Sequence, residues 1–162
     1  MKNPLLNEAS SVLKLGDHGL AEKLYLVCLD QNSNDAEALR ELALIEYGFK
    51  KNSVKAKELI EQSLKIEDCA MGHFYLALIL DNLRIYPQAE EEFEYSIKES
   101  KGDTMMNSMY GDVLVAQKRF DKAKLHFIAA LLKEPDYKPA QESYAQLLKI
   151  LNESPASNLQ AS

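Results

Sequence analysis

Ala9, Ala43, Ala77 and Gly111 stand 34 residues apart, and Ala145 keeps the step once more. Ala21, Ala56, Ala89 and Ala123 run beside them at intervals of 35, 33 and 34. Small residues at a fixed period of this length mark a chain built from one repeated supersecondary unit. Such a unit cannot bury its apolar face alone, so neighbouring copies must stack into a solenoid.

The stretch TMMNSMYGDVLVAQKRFDKAKLHFIAALLKEPDY, residues 104–137, shows the unit most clearly. Tyr110, Gly111 and Leu114 fall on one helical face, and Ala123, Phe127 and Ala130 fall on another. Both sets fit the 3.6-residue period. QKRFD between them reads as a short turn, with Phe120 placed to plug the gap, and Pro135 stops the second helix. Two helices cross closely only where a side chain is nearly absent. Gly111 and Ala123 are therefore expected as facing gaps, with Phe127 filling the space beside them.

Composition narrows the function. The chain has 162 residues, suited to one domain, and a net charge of −6. That charge disfavours nucleic acid, which calls for a basic stripe, and docking on anionic membranes. The N-terminal MKNPLLNEASSVLKLGD has no apolar run of signal length, and no stretch approaches the ~18 residues of a spanning helix. Cys28 and Cys69 form no CxxC, which suits a reduced, cytoplasmic setting.

Chemistry is sparse. His18, His73 and His126 sit in a turn, a first helix and a second helix of different repeats. No HExxH, glycine-rich phosphate loop or GxSxG occurs, so no catalytic residue, metal site or cofactor is expected. Cys28 reads as a core residue and Cys69 as a partly exposed one before a helix start. The run EEEFE at 90–94 reads as a solvated face, with an acidic docking patch as the alternative.

The letters of the repeat resemble the tetratricopeptide repeat (TPR), which pairs helices A and B in units of 34 residues. In residues 104–137 the likeness rests on Tyr110, Gly111, Leu114, Ala123, Phe127, Ala130 and Pro135. In 70–103 it rests on Leu76, Ala77, Leu80, Tyr86, Ala89 and Phe93, with Ser96 at a small position and Lys101 where the family has proline. In 36–69 it rests on Leu39, Leu42, Ala43, Ala56 and Ile60. There the turn GFKKNSVK is one residue longer than in the other repeats, and Glu46 stands where the family has a large apolar residue. In 2–35 it rests on Leu5, Ala9, Val12, Gly16, Asp17, Ala21, Tyr25 and Cys28, while Glu8 replaces a leucine, as suits an end repeat. Residues 138–153 continue the A pattern through Tyr144, Ala145 and Leu148, and their polar side suits a capping helix. The tail 154–162 is small and polar, and is expected to be disordered.

The resemblance implies an all-α, right-handed superhelical solenoid of antiparallel helix pairs, about nine helices, in a single domain over 2–153. It also implies a concave groove lined by A helices that takes a partner peptide or helix. The positions carried over are Leu6, Ser10 and Leu13, then Arg40, Leu44 and Tyr47. They continue as Met71, Phe74, Tyr75, Leu78 and Asp81, then Met105, Ser108, Met109, Asp112 and Val115. The apolar members either form a binding stripe or pack between neighbouring A helices. On the first reading, a charge at Phe74 or Met109 abolishes binding and leaves the helices intact. The carboxylate clamp of one family branch would fall on Leu6, Ser10, Glu41, Met71 and Tyr75, or one repeat on at Arg40, Leu44, Tyr75, Met105 and Met109, and neither set supplies the donors. An apolar or mixed segment, with a basic residue near Asp81 and Asp112, fits better.

The expected function is a non-enzymatic protein-interaction scaffold or adaptor. The architecture also resembles small chaperones and assembly factors of bacterial secretion and envelope systems. The alternative is the N-terminal recognition module of a larger enzyme, of glycosyltransferase or sulfotransferase type. The expected partner is a protein segment, with no nucleic acid and no membrane insertion, and the chain is expected to be a monomer or weak dimer.

Overall fold

The computed structural model describes residues 3–153, and all its regular structure among these is helical. The helices are α1 (Pro4–Lys14), α2 (His18–Gln31), α3 (Ala36–Leu44), α4 (Ser53–Ile66), α5 (Ala70–Asn82), α6 (Tyr86–Glu99), α7 (Thr104–Ala116), α8 (Phe120–Lys133) and α9 (Lys138–Glu153). A π-turn, Ile45–Phe49, continues α3. The expected disordered tail, 154–162, lies outside the described residues. None of the helices is long and apolar enough to cross a membrane. The chain divides into two compact units, Met1–Ser96 and Ile97–Ser162.

Helix starts are set by short polar side chains that accept from an otherwise orphaned N–H. Asp17 caps Leu20 at 2.9 Å, Asp35 caps Ala38 at 3.0 Å, Asn52 caps Lys55 at 3.2 Å and Asp103 caps Met106 at 2.9 Å. Each A–B turn holds one residue with positive φ: Gly16, Lys51, Arg84 or Lys118. Such a left-handed residue closes a helix by sending the next N–H back to an orphan carbonyl. Asp17 N reaches Val12 O at 3.3 Å, Ile85 N reaches Leu80 O at 2.9 Å, and Arg119 N reaches Leu114 O at 2.8 Å.

In the first unit Ala9, Ala21, Ala43, Ala56, Ala77 and Ala89 are all buried, as both small-residue series require. Leu6, Tyr25, Cys28, Leu42 and Ile45 pack around the first of them. The Ser63 hydroxyl donates to Ala36 O at 2.7 Å, and Ser53 bonds Asn82 at 2.8 Å. The second bond joins the start of α4 to the end of α5, so these helices run antiparallel.

The second repeat departs from the others inside this unit. Lys50 N bonds Ile45 O across five residues, the π pattern, and Asn52 N bonds Glu46 O at 2.8 Å across six. The extra residue of GFKKNSVK is thus taken up at the end of the A helix. Glu46 is 4% exposed and ion-paired to Lys50 at 3.3 Å and Lys55 at 3.2 Å. Lys50 also pairs with Glu22 of α2.

In the second unit, a Cβ placed on Gly111 would lie 2.5 Å from the Phe127 ring, so α7 and α8 meet where the sequence expects. Thr104 bonds Glu134 at 2.6 Å, tying the start of α7 to the end of α8. On α9 the buried residues are Ala140 and Leu147, and the Tyr144 ring sits 6.2 Å from Phe127. Ala145 and Leu148 are exposed, which corrects their expected place in the packing. In the earlier repeats that face of an A helix meets its own B helix, and within 138–153 none follows α9.

Candidate protein-binding face

The face is built from two A helices of the first unit. On α3 and its π-turn, Arg40, Leu44 and Tyr47 recur at steps of four and three. On α5, Met71, Tyr75, Leu78 and Asp81 recur at steps of four, three and three. Helical spacing of this kind places each set on one stripe, and all seven residues are half-buried. The stripes are linked. Arg40 Nη1 lies 3.5 Å from Cys69 Sγ, just before α5, and 3.5 Å from Glu67 Oε2. The Arg40 charge acts on Tyr75, and the Asp81 charge acts on Tyr47.

Burial pushes the Tyr75 hydroxyl above its ordinary pKa, the nearby Glu41 carboxylate adds to the rise, and Arg40 opposes it. Burial raises Tyr47 too, with Asp81 adding. The Glu41 carboxyl is itself raised, by burial first, with Arg40 opposing and Glu37 adding. The face therefore combines aliphatic and aromatic surface with one partly desolvated carboxylate, Glu41. A carboxylate in that state favours a cationic neighbour, because an opposite charge offsets the cost of desolvation.

Phe74 does not belong to it. The side chain is fully buried, and its ring packs edge-on at 5.3 Å from Phe93 of α6. A glutamate at Phe74 would put an unpaired charge into the core, so it would unfold the unit and report nothing about binding. Ser108 is likewise buried on α7 and lines no surface. In the second unit Met105 and Met109 are half-buried, and Asp112 lies on the surface. The Asp112 carboxyl is raised by partial desolvation, with Ser143 of α9 opposing through a hydrogen bond. In the first repeat Leu6 is core, while Ser10 and Leu13 are half-buried.

The histidines are held apart in local contacts. His18 stacks on Phe49 at 4.7 Å. His73 bonds Asp68 at 2.9 Å on one ring nitrogen and Glu92 on the other, and its ring meets Tyr95 edge-on. His126 bonds Asn107 at 3.0 Å. Glu92 is thus a structural tie from α6 to α5, so the acidic run at 90–94 is more than a solvated face. Among the described residues, no group of three or more His, Cys, Asp or Glu is placed to hold a metal ion. Cys28 is buried, and burial raises its thiol pKa.

A further feature escaped the sequence reading. Beside the π-turn, Leu13, His18, Leu44, Ile45, Gly48 and Phe49 line a cavity of about 290 Å³. Its signal was the misfit of Glu46 and the long turn, which marked where the repeat departs from its own period.

No family model matches the sequence. No curated protein matches it either. Among solved structures, the chain is similar to the APC/C hetero-tetramer Cut9–Hcn1, with 18% identity and a TM-score of 0.79. That alignment covers 90% of this chain but only 29% of the other, so this chain spans under a third of it. YrrB, a TPR protein with an unusual peptide-binding site, aligns with 18% identity and a TM-score of 0.65, covering 94% of this chain and 78% of YrrB. The Arabidopsis OM64 TPR domain aligns with 23% identity and a TM-score of 0.61, covering 70% of this chain and 94% of the domain. The chain has the tetratricopeptide-repeat fold.

Proposed function

We propose that this protein is a non-enzymatic interaction scaffold that holds a segment of a partner protein on the A-helix face of α3 and α5. The observation that carries the reading is the pair of stripes, Arg40–Leu44–Tyr47 and Met71–Tyr75–Leu78–Asp81, half-buried and joined through Arg40. Aromatic and methionine side chains give large, adaptable contact area, the usual content of a binding surface. Glu41 and Asp81 select a segment that carries a basic residue among apolar ones. Met105, Met109 and Asp112 of the second unit offer a smaller set of the same character. We place the chain in the cytoplasm, a reading supported by its two free thiols.

The test is selection of a random peptide library on the whole chain, repeated on a Tyr75→Glu/Leu78→Glu variant. Both residues are half-buried, so the variant should keep its helical circular dichroism. The expected result is a set of peptides that bind the wild type and lose about tenfold or more on the variant. Peptides that bind both equally would move the site away from α3 and α5, and a library that yields no binder would overturn the scaffold reading.

A further inference from the structure

The B helices α2, α4, α6 and α8 share one triplet. In α8 it is Ala123, Phe127 and Ala130: a small residue, a large apolar one four positions on, and a small one three further. The same steps hold in the other three, and every triplet residue is buried. The facing surface on α7 is Tyr110, Gly111 and Leu114, all buried. Phe127 covers Gly111, and the His126 ring lies 4.6 Å from Tyr110.

One period later, α9 carries the same face and leaves it uncovered. Tyr144, Ala145 and Leu148 stand 34 residues after Tyr110, Gly111 and Leu114. Tyr144 is half-buried, Ala145 is exposed and Leu148 is 38% exposed, whereas Leu114 is 0% exposed. The helix is already fixed through its other side, where Ala140 and Leu147 are buried. Alanine is what the first three repeats place at this crossing, as Ala9, Ala43 and Ala77, all fully buried. A helix can therefore close over Ala145 as it does over them. The letters that follow α9 do not repeat the triplet: Ser157 and Ala161 stand where α8 has Ala123 and Phe127.

We infer that this face of α9 takes a B-type helix from a partner protein, an amphipathic helix with the small–large–small triplet at steps of four and three. The occupant follows from the face. Ala145 lets a helix axis approach closely, and only a small residue opposite it uses that approach. The large residue then lies across Ala145 and beside the Tyr144 ring, as Phe127 lies across Gly111. An extended segment does not match, because its side chains alternate between faces at every residue. Burial of Leu148 and Tyr144 supplies the driving force. This site belongs to the second unit and is separate from the face of α3 and α5.

The probe is a labelled synthetic peptide with the sequence of residues 119–134, titrated against the whole chain. The wild type is expected to bind it saturably, with shifts of the Ala145 and Leu148 methyl resonances. A peptide carrying Phe127→Ser should bind about tenfold or more weakly, because the large residue is the anchor. Two variants of the protein decide the mode. Leu148→Glu changes a partly exposed side chain, so it should keep its helical circular dichroism and lose about tenfold or more in affinity. Ala145→Leu adds apolar surface but blocks a close crossing, so it should lose affinity too, whereas unspecific adsorption would grow. No saturable binding by the wild type would overturn the inference. Binding that survives Leu148→Glu would do the same, and is what exchange of the peptide with α8 would give. Tighter binding by Ala145→Leu would also sink it. Sedimentation of the whole chain adds one more outcome: a dimer that Leu148→Glu dissociates would assign the face to a second copy and remove the partner helix.

Discussion

The fourth repeat and the second each place a glycine in the A helix or its end, under opposite constraints. In the fourth, helix A approaches helix B so closely that Gly111 has no room for a Cβ against the Phe127 ring. In the second, one extra residue turns the end of helix A into a π-turn, where Gly48 faces open space and Phe49 stands in water. The fourth closes its crossing with the Phe127 ring against Gly111. The second leaves a cavity, a buried carboxylate and an exposed aromatic.

The sharpest way to break this contrast is one substitution made twice. Glycine to alanine in a helix gains about 1 kcal/mol from propensity alone. At Gly48 nothing opposes that gain, so Gly48→Ala should stabilise by up to about 1 kcal/mol. At Gly111 the new methyl would sit 2.5 Å from a fully buried ring that has nowhere to go. Overpacking of that kind costs about 1–3 kcal/mol or more, so Gly111→Ala should destabilise by about 2 kcal/mol net. Urea denaturation of both variants checks the signs. Equal signs would mean that the two glycines sit under the same constraint, and the comparison would fail.

A second test concerns Glu46. Its side chain is buried, yet both lysines that pair with it keep contact with water. Removing the lysines strands a buried charge, whereas removing the glutamate frees lysines that water can solvate. Lys50→Met/Lys55→Met should therefore cost about 2 kcal/mol, between the ranges for buried and surface pairs. Glu46→Leu, which restores the apolar residue usual at this position in the family, should cost less than half as much. The reverse order in denaturant midpoints would show that the carboxylate serves the π-turn in some way other than pairing.

Glu41, on the same helix, is the opposite case. Burial raises its carboxyl above the reference value of 4.5. A raised carboxyl favours the folded state fully below that value, and the benefit fades as pH climbs through the folded pKa. Glu41→Gln removes the late penalty, so its melting temperature should exceed the wild type at neutral pH and match it at strongly acid pH. An equal gap at both would assign the effect to packing.

Much of this was legible in the residues. Both alanine series, the Gly111–Phe127 crossing and the helix pairs followed from period and side-chain size. Phe74 was not legible as core, because it stands one residue from Tyr75 and a stripe read from spacing alone cannot separate neighbours at its edge. Only the ring of Phe93, brought in by α6, decides it. Ala145 failed for a related reason: a small residue marks a close crossing only when a second helix is there to cross. A third series, Ala38, Gly72, Met106 and Ala140, is also spaced by 34 and buried, but Met106 disguises it as something other than a small-residue row. The cavity was beyond reach, since an inserted residue announces a departure from the repeat without saying whether a loop or a helix absorbs it.

The smallest effect is also the most diagnostic of strain. Lys51 and Arg84 close the second and third A helices in the left-handed region, at φ 58° and 62°. Glycine adopts that conformation without a Cβ penalty, though it loses more chain entropy on folding. The two effects leave a net gain of about 0.5 kcal/mol for Arg84→Gly. The π-turn makes Lys51 the more informative site, because its following N–H spans six residues where the others span five. If the inserted residue is held by its own hydrogen bonds and the Glu46 pairs, Lys51→Gly should gain the same amount as Arg84→Gly. A distinctly larger gain at Lys51 would mean the turn stores strain at its closing residue.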